Sequence, residues 1–132
     1  YGVVFDAGVV DTAATTATRL ELRKKRLGGR EPGEPVPAPA SAEKVGDLLH
    51  IVDGRWWCNG ADLGPATANY KDGAITRDTL VRHIAPEHEV SDTEMADRIS
   101  FREYLCPVTG LRIGADLIAD DDAPLHDIMI DV

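Results

Sequence analysis

The sequence predicts an α+β, β-rich fold, in which a strand–helix arm precedes a small antiparallel-sheet domain. Three observations lead there. A Pro/Gly-rich stretch, residues 28–40, divides an Ala- and Leu-bearing helical segment from everything that follows. An Asp53-Gly54 pair sits between two β-prone runs, Leu48–Val52 and Arg55–Cys58. A second pair of β-prone runs, Ile99–Leu105 and Leu111–Ile118, is joined by Cys106-Pro107-Val108-Thr109-Gly110.

The arm comes first. Tyr1 to Phe5 reads as a short apolar strand, with Gly2 and Gly8 permitting tight backbone around it. Asp11 is placed to cap a helix, because its carboxylate can accept the free amide hydrogens of a first turn. Thr12 to Leu27 then has helical composition, and Gly28-Gly29 stops it. The cations Arg23, Lys24, Lys25 and Arg26 fall where the helix dipole is negative. Dipole compensation on a solvated face is the preferred reading of that run, and gripping an anion is its alternative. Residues 28–40 hold four prolines and three glycines, so they predict an extended, semi-rigid linker that frees residues 1–27 from the domain at 41–132.

Within the domain, Asp-Gly between β-prone runs signals a two-residue hairpin, whose central positions need positive φ. Thr76 to Ile84 is predicted as a short helix ended before Pro86, and Ser91-Asp92-Thr93-Glu94 has capping-box spacing. Asp120-Asp121-Asp122 predicts a solvated turn, and Leu125 to Val132 a last strand.

Length and charge narrow the function. The 132 residues are 43% apolar, enough for one modest core and too many for a disordered chain. Aromatics are only 5%, so that core must rest largely on aliphatic side chains. No stretch approaches the ~20 apolar residues of a membrane helix, and no basic-then-apolar leader opens the chain. A soluble, cytoplasmic protein is expected. The start at Tyr1 rather than Met points to a cleaved, trimmed or engineered end. Net charge is −9, with six basic against five acidic residues in 1–40 and eight against eighteen in 41–132. So acidic a domain repels phosphate backbones, which argues against nucleic acid as a partner.

Cys58 and Cys106 each end a β-prone run, with a glycine two or four residues later. That setting is zinc-ribbon-like, but each knuckle is degenerate: Ala61 and Thr109 stand where a second cysteine would complete Cys-x-x-Cys. A structural zinc normally draws on four ligands. No stoichiometric zinc is therefore predicted; if metal binds, Cys58 and Cys106 are its ligands, with His50 or Asp62 the nearest candidates to complete the set. A disulfide would require the knuckles to face each other, and a cytoplasmic setting disfavours it.

His50 alternates with Leu48 and Val52 as a packing residue, and His83 and His88 lack the spacing of a zincin pair. His126 precedes Asp127, whose carboxylate could orient its imidazole, although a capped turn is the preferred reading. No phosphate loop, nucleophile elbow or paired carboxylates can be read, so no catalytic residue is assigned. Trp56 and Trp57, adjacent on a strand, should point to opposite faces. One is expected in the core and the other at a partner, and both are interface candidates together with Tyr1, Val3 and Phe5.

Two stretches carry a resemblance. Tyr1-Gly2-Val3-Val4-Phe5-Asp6, then Val10-Asp11, Ala14-Thr15, Arg19 and Arg23, resembles the extreme C-terminus of hydantoinase B/oxoprolinase-type large subunits. From about residue 47 to 132 the chain is similar to the small gamma subunit of acetone and acetophenone carboxylases. The residues are Trp57-Cys58 near Leu63-Gly64, Tyr104-Leu105-Cys106-Pro107 with Gly110, and Pro124-Leu125-His126-Asp127. The resemblance implies an accessory subunit of a multi-subunit, ATP-dependent ligase that fixes bicarbonate onto a ketone to give a 3-oxo acid. It also implies large hydantoinase-like partners in a hetero-oligomer, with ATP and a divalent metal held by them. An aromatic ketone such as acetophenone is the first expected substrate, acetone the second. Two rivals stand beside this: a degenerate rubredoxin- or zinc-ribbon-like binding module of an unrelated complex, and an independent zinc protein.

Overall fold

The computed structural model describes residues 2–84 and 97–131. The first elements form the arm. Strands β1 (Phe5–Asp6) and β2 (Val9–Val10) pair antiparallel across the turn Ala7-Gly8. The expected strand at residues 1–5 is thus shorter and shifted into a hairpin. Asp11 caps α1 (Thr12–Arg26) as expected, its Oδ1 accepting from the Ala14 amide at 2.9 Å. The hairpin is tied to the helix by Thr15, a buried residue whose hydroxyl accepts from the Val4 amide at 2.9 Å.

The linker does not free the arm. Arg30 Nη2 donates to the Pro107 carbonyl (2.5 Å), the Gly33 amide to Val108 (2.7 Å) and the Val36 amide to Asn59 (3.3 Å). Residues 30–36 therefore lie along both cysteine-bearing turns. Proline rigidity explains why so few bonds suffice, since a pre-extended chain loses little entropy on docking.

Next comes a four-stranded antiparallel meander: β3 (Glu43–Lys44), β4 (His50–Val52), β5 (Arg55–Cys58) and β6 (Ala61–Pro65). Its central turn is the Asp53-Gly54 hairpin, with φ of 49° and 72° closing Val52 onto Arg55. A 3₁₀ turn at Tyr70–Gly73 follows. It runs so close to β6 that a side chain at Gly73 would come within 2.3 Å of the Leu63 carbonyl oxygen.

The second sheet is a three-stranded meander: β7 (Ile75–Leu80), β8 (Ile99–Leu105) and β9 (Arg112–Ala119). Here one expectation fails, because the helix foreseen over Thr76–Ile84 is strand β7, followed by a single 3₁₀ turn at Val81–His83. The β-branched Ile75, Thr76 and Thr79 suit a pleated surface, and β8 supplies the ladder, including the ion pair Arg102–Asp78 at 2.7 Å. The foreseen last strand at 125–132 is also absent among the described residues, although Ile128 and Ile130 pack on the core. The proposed cap at Ser91–Glu94 and His88 lie outside the described residues.

The core lies among the meanders, the 3₁₀ turn and the tail: Leu49, Trp56, Cys58, Ala61, Leu63, Tyr70 and Cys106. Trp56 meets Tyr70 edge to face, centroids 5.7 Å apart. The architecture is α+β and β-rich, with one α-helix among the described residues.

Candidate functional site

Strand alternation fixes the roles on β5. Trp56 and Cys58 point inward and are fully buried, while Arg55 is exposed and Trp57 half-buried. Trp56 donates its indole N–H to the Ala68 carbonyl at 2.9 Å. It belongs to this chain's own core, which removes it as an interface candidate. Trp57 keeps accessible surface, and its indole nitrogen has no acceptor among the described residues. Val3 and Phe5 are exposed, Phe5 at 64%, whereas Tyr1 lies outside the described residues.

The two knuckles do face each other. Cys58 ends β5 and Cys106 follows β8, so the hairpin tips of the two sheets bring both thiols together in the core. Both cysteines are free, and Cys106 Sγ lies 3.3 Å from the Cys58 carbonyl oxygen. The Cys58 thiol lowers the Cys106 thiol below its ordinary range; burial opposes this, and the hydroxyl and amide of Thr109 and the amide of Val108 add to it. Sharing the proton with Cys106, together with burial, pushes the Cys58 thiol up. The two thus titrate as a pair that gives up one proton readily and holds the other.

Of the residues that could have completed a metal set, Asp62 is tied to its own hairpin. Asp62 is held by Arg55 Nε at 2.6 Å and by the Gly64 amide at 2.9 Å, and His50 lies in β4 opposite Trp57. Among the described residues no group of three or more His, Cys, Asp or Glu side chains converges. Among the described residues, the donors beside Cys58 and Cys106 do not make up a four-ligand zinc site.

A cluster unforeseen from the sequence surrounds Lys71, whose side chain is completely buried. Its ammonium contacts Asp116 Oδ1 (2.9 Å) and Oδ2 (3.1 Å), the Leu125 carbonyl (2.8 Å) and Asp127 Oδ1 (3.3 Å). It also lies 5.1 Å from the ring centre of Tyr104, whose hydroxyl donates to Asp116 Oδ2 at 2.9 Å. Burial opposes ionisation at Asp116, but hydrogen bonds from Lys71 and Tyr104 overcome it and hold its carboxyl below the usual range. Burial, reinforced by these carboxylates, raises both Tyr70 and Tyr104 to about 12. Asp127 is thereby spent on Lys71 and does not orient His126, which is exposed. Nothing in the sequence around Lys71 signalled this, since its partners lie 45 or more residues away.

Chemically, the cluster is closed. Each charge has a partner, and the result is a clamp that holds residues 124–127 onto β9 and the 3₁₀ turn. No helix among the described residues is long and apolar enough to cross a membrane.

No curated protein matches the chain. A family model described as the acetone carboxylase gamma subunit matches residues 43–132, which takes in both meanders, both cysteines, the lysine clamp and the tail. By that match the chain belongs to the acetone carboxylase gamma subunit family.

Proposed function

We propose that this chain serves an ATP-dependent ketone carboxylase as an accessory subunit, contributing to assembly while larger hydantoinase-like subunits bind nucleotide and ketone. The observation that carries this is where reactivity and exposure lie. The buried titratable groups around Lys71 are paired with one another, and both thiols are buried. Meanwhile the arm exposes Phe5 and Val9 at 64% and 71%, side chains that a stable surface normally covers. The substrate is a small ketone, acetone or acetophenone, converted with bicarbonate to a 3-oxo acid, in a cytoplasmic hetero-oligomer. In this reading the cysteine turns are zinc-ribbon knuckles reduced to one thiol each and bind no metal.

Steady-state turnover of the assembled complex tests the proposal. His126→Ala should leave turnover within about tenfold of wild type (~1.4 kcal/mol). Phe5→Asp should release the subunit, with activity lost in parallel. A thousandfold loss in His126→Ala with assembly intact would place this chain in the chemistry and refute the accessory role.

A further inference from the structure

We propose that the outer edge of β9 receives an extended, lysine- or arginine-bearing segment of a partner subunit, which joins the second sheet as a fourth strand. The inference deepens the assembly role proposed above and rests on it. Backbone geometry carries it. Within the sheet β9 pairs with β8 alone, so its other side is an edge. The Asp120 amide donates to the Arg98 carbonyl at 3.0 Å, which makes 98 and 120 a hydrogen-bonded pair of the ladder. In an antiparallel ladder such pairs alternate with non-hydrogen-bonded ones. The register is regular from Ile99 opposite Ala119 to Tyr104 opposite Gly114, so Gly114, Asp116 and Ile118 exchange bonds with β8. The N–H and C=O groups of Ala115 and Leu117 therefore point away from β8. Among the described residues nothing pairs with them.

A free edge is normally blunted by a lysine, a proline, a bulge or an inward-pointing charge. Residues 115–119 include neither lysine nor proline, and the irregularity in the ladder lies at its other end, between Tyr104 and Leu105. Asp116 is the strand's one acidic residue, and Lys71 neutralises it. The other edges differ. Strand β3 has two residues, β6 ends on Pro65 and lies against the 3₁₀ turn, and β7 bears Arg77 and Asp78.

Side chains beside the edge say what kind of strand fits. A groove of about 530 Å³ is lined by residues 115–118 with Asp122, Ala123 and Leu125. Leu117 is 71% exposed and Leu125 65%, apolar area that an added strand would cover. Charge fixes the partner's sign. Residues 113–132 hold six aspartates and no lysine or arginine. Lys71 neutralises Asp116 and Asp127, and Arg98 faces Asp121. That leaves Asp120 and Asp122 exposed, with no ion pair among the described residues, at the end of the groove. A second copy of this chain would bring another net charge of −9 against them, whereas a basic segment of another subunit is attracted.

Hydrogen exchange of the chain, free and in its assembled complex, tests the edge amide by amide. In the free chain the amides of Ala115 and Leu117 should exchange far faster than those of Asp116 and Ile118. In the complex both should slow at least tenfold. Ala115→Pro removes an outward N–H without breaking a bond to β8, at a place where an edge strand tolerates proline. Its circular dichroism should stay native while affinity for the large subunits falls at least tenfold. Leu117→Lys, which leaves the backbone intact and sets a cation on the edge, should weaken association as much. Added salt should weaken the wild-type complex. Unslowed exchange at 115 and 117 in a formed complex, full affinity in Leu117→Lys or in folded Ala115→Pro, or affinity indifferent to salt would overturn the proposal and leave the accessory role standing. Failure of the wild-type chain to enter any complex would overturn both. A dimer of the free chain that dissociates in Leu117→Lys would give the edge to a second copy and overturn the partner proposed.

Discussion

The ammonium of Lys71, wholly shielded from solvent, lies 2.9 Å from Asp116 across a gap of 45 residues. One ion pair thereby joins the 3₁₀ turn after the first sheet to the last strand of the second. Through Leu125 and Asp127 it also fastens the tail.

Breaking that pair from one side should be costly. Lys71→Met leaves the Asp116 carboxylate without its cation and is expected to cost ~3–5 kcal/mol, a large share of the ~5–15 kcal/mol that holds a domain folded. Asp116→Leu, which leaves Lys71 the partly exposed Asp127, should cost less. The double replacement should recover much of the loss, because neither charge then remains. Urea unfolding midpoints of the three variants measure this, and hydrogen exchange at 124–130 should show the tail loosened in Lys71→Met.

The cluster also sets a pH dependence. The Asp116 carboxyl is lowered in the folded protein, so its stabilising contribution is present above the unfolded value of ~3.9 and lost as pH falls through the folded value. For Tyr70 and Tyr104, raised to about 12, the contribution is complete below the ordinary ~10 and lost as pH rises through about 12. Stability from these groups should therefore be flat from about pH 5 to 9. Absorbance at 295 nm should show two tyrosines ionising near 12; both ionising near 10 would contradict the burial assigned to them.

The two tryptophans should separate by phenotype. Trp56→Ala empties the core beside Tyr70 and should cost ~3–5 kcal/mol. Trp57→Ala should cost the isolated chain much less and weaken its hold on the complex, by ~2 kcal/mol if Trp57 is an interface anchor. Thermal unfolding of the chain, set beside pull-down with the large subunits, distinguishes the two effects.

Elemental analysis of the purified protein should find far less than one zinc per chain, since Cys58 and Cys106 meet with no third donor among the described residues. About one zinc, lost in Cys106→Ser, would reverse that reading and restore a metal-bearing knuckle.

Local chemistry was written in the chain itself wherever a few adjacent residues decide the outcome. Asp11 caps the helix with its own carboxylate, Asp53-Gly54 adopts the positive φ its hairpin needs, and the β-prone run Ile99–Leu105 is a strand. Trp56 and Trp57 diverge because neighbours on a strand have to, though which one faces the core was decided by the segment that brings Ala68 and Tyr70 against Trp56. Tertiary structure decided whatever depends on a distant partner. Ile75–Leu80 is a strand because β8 offers it a ladder, which its β-branched residues suit. The Pro-rich stretch is pinned because the cysteine turns present carbonyls to it. Lys71 is buried because two carboxylates and a carbonyl, all more than 40 residues away, arrive together to replace its water. A single sequence displays the charges, but the pairing that makes burial tolerable exists only in the assembled fold.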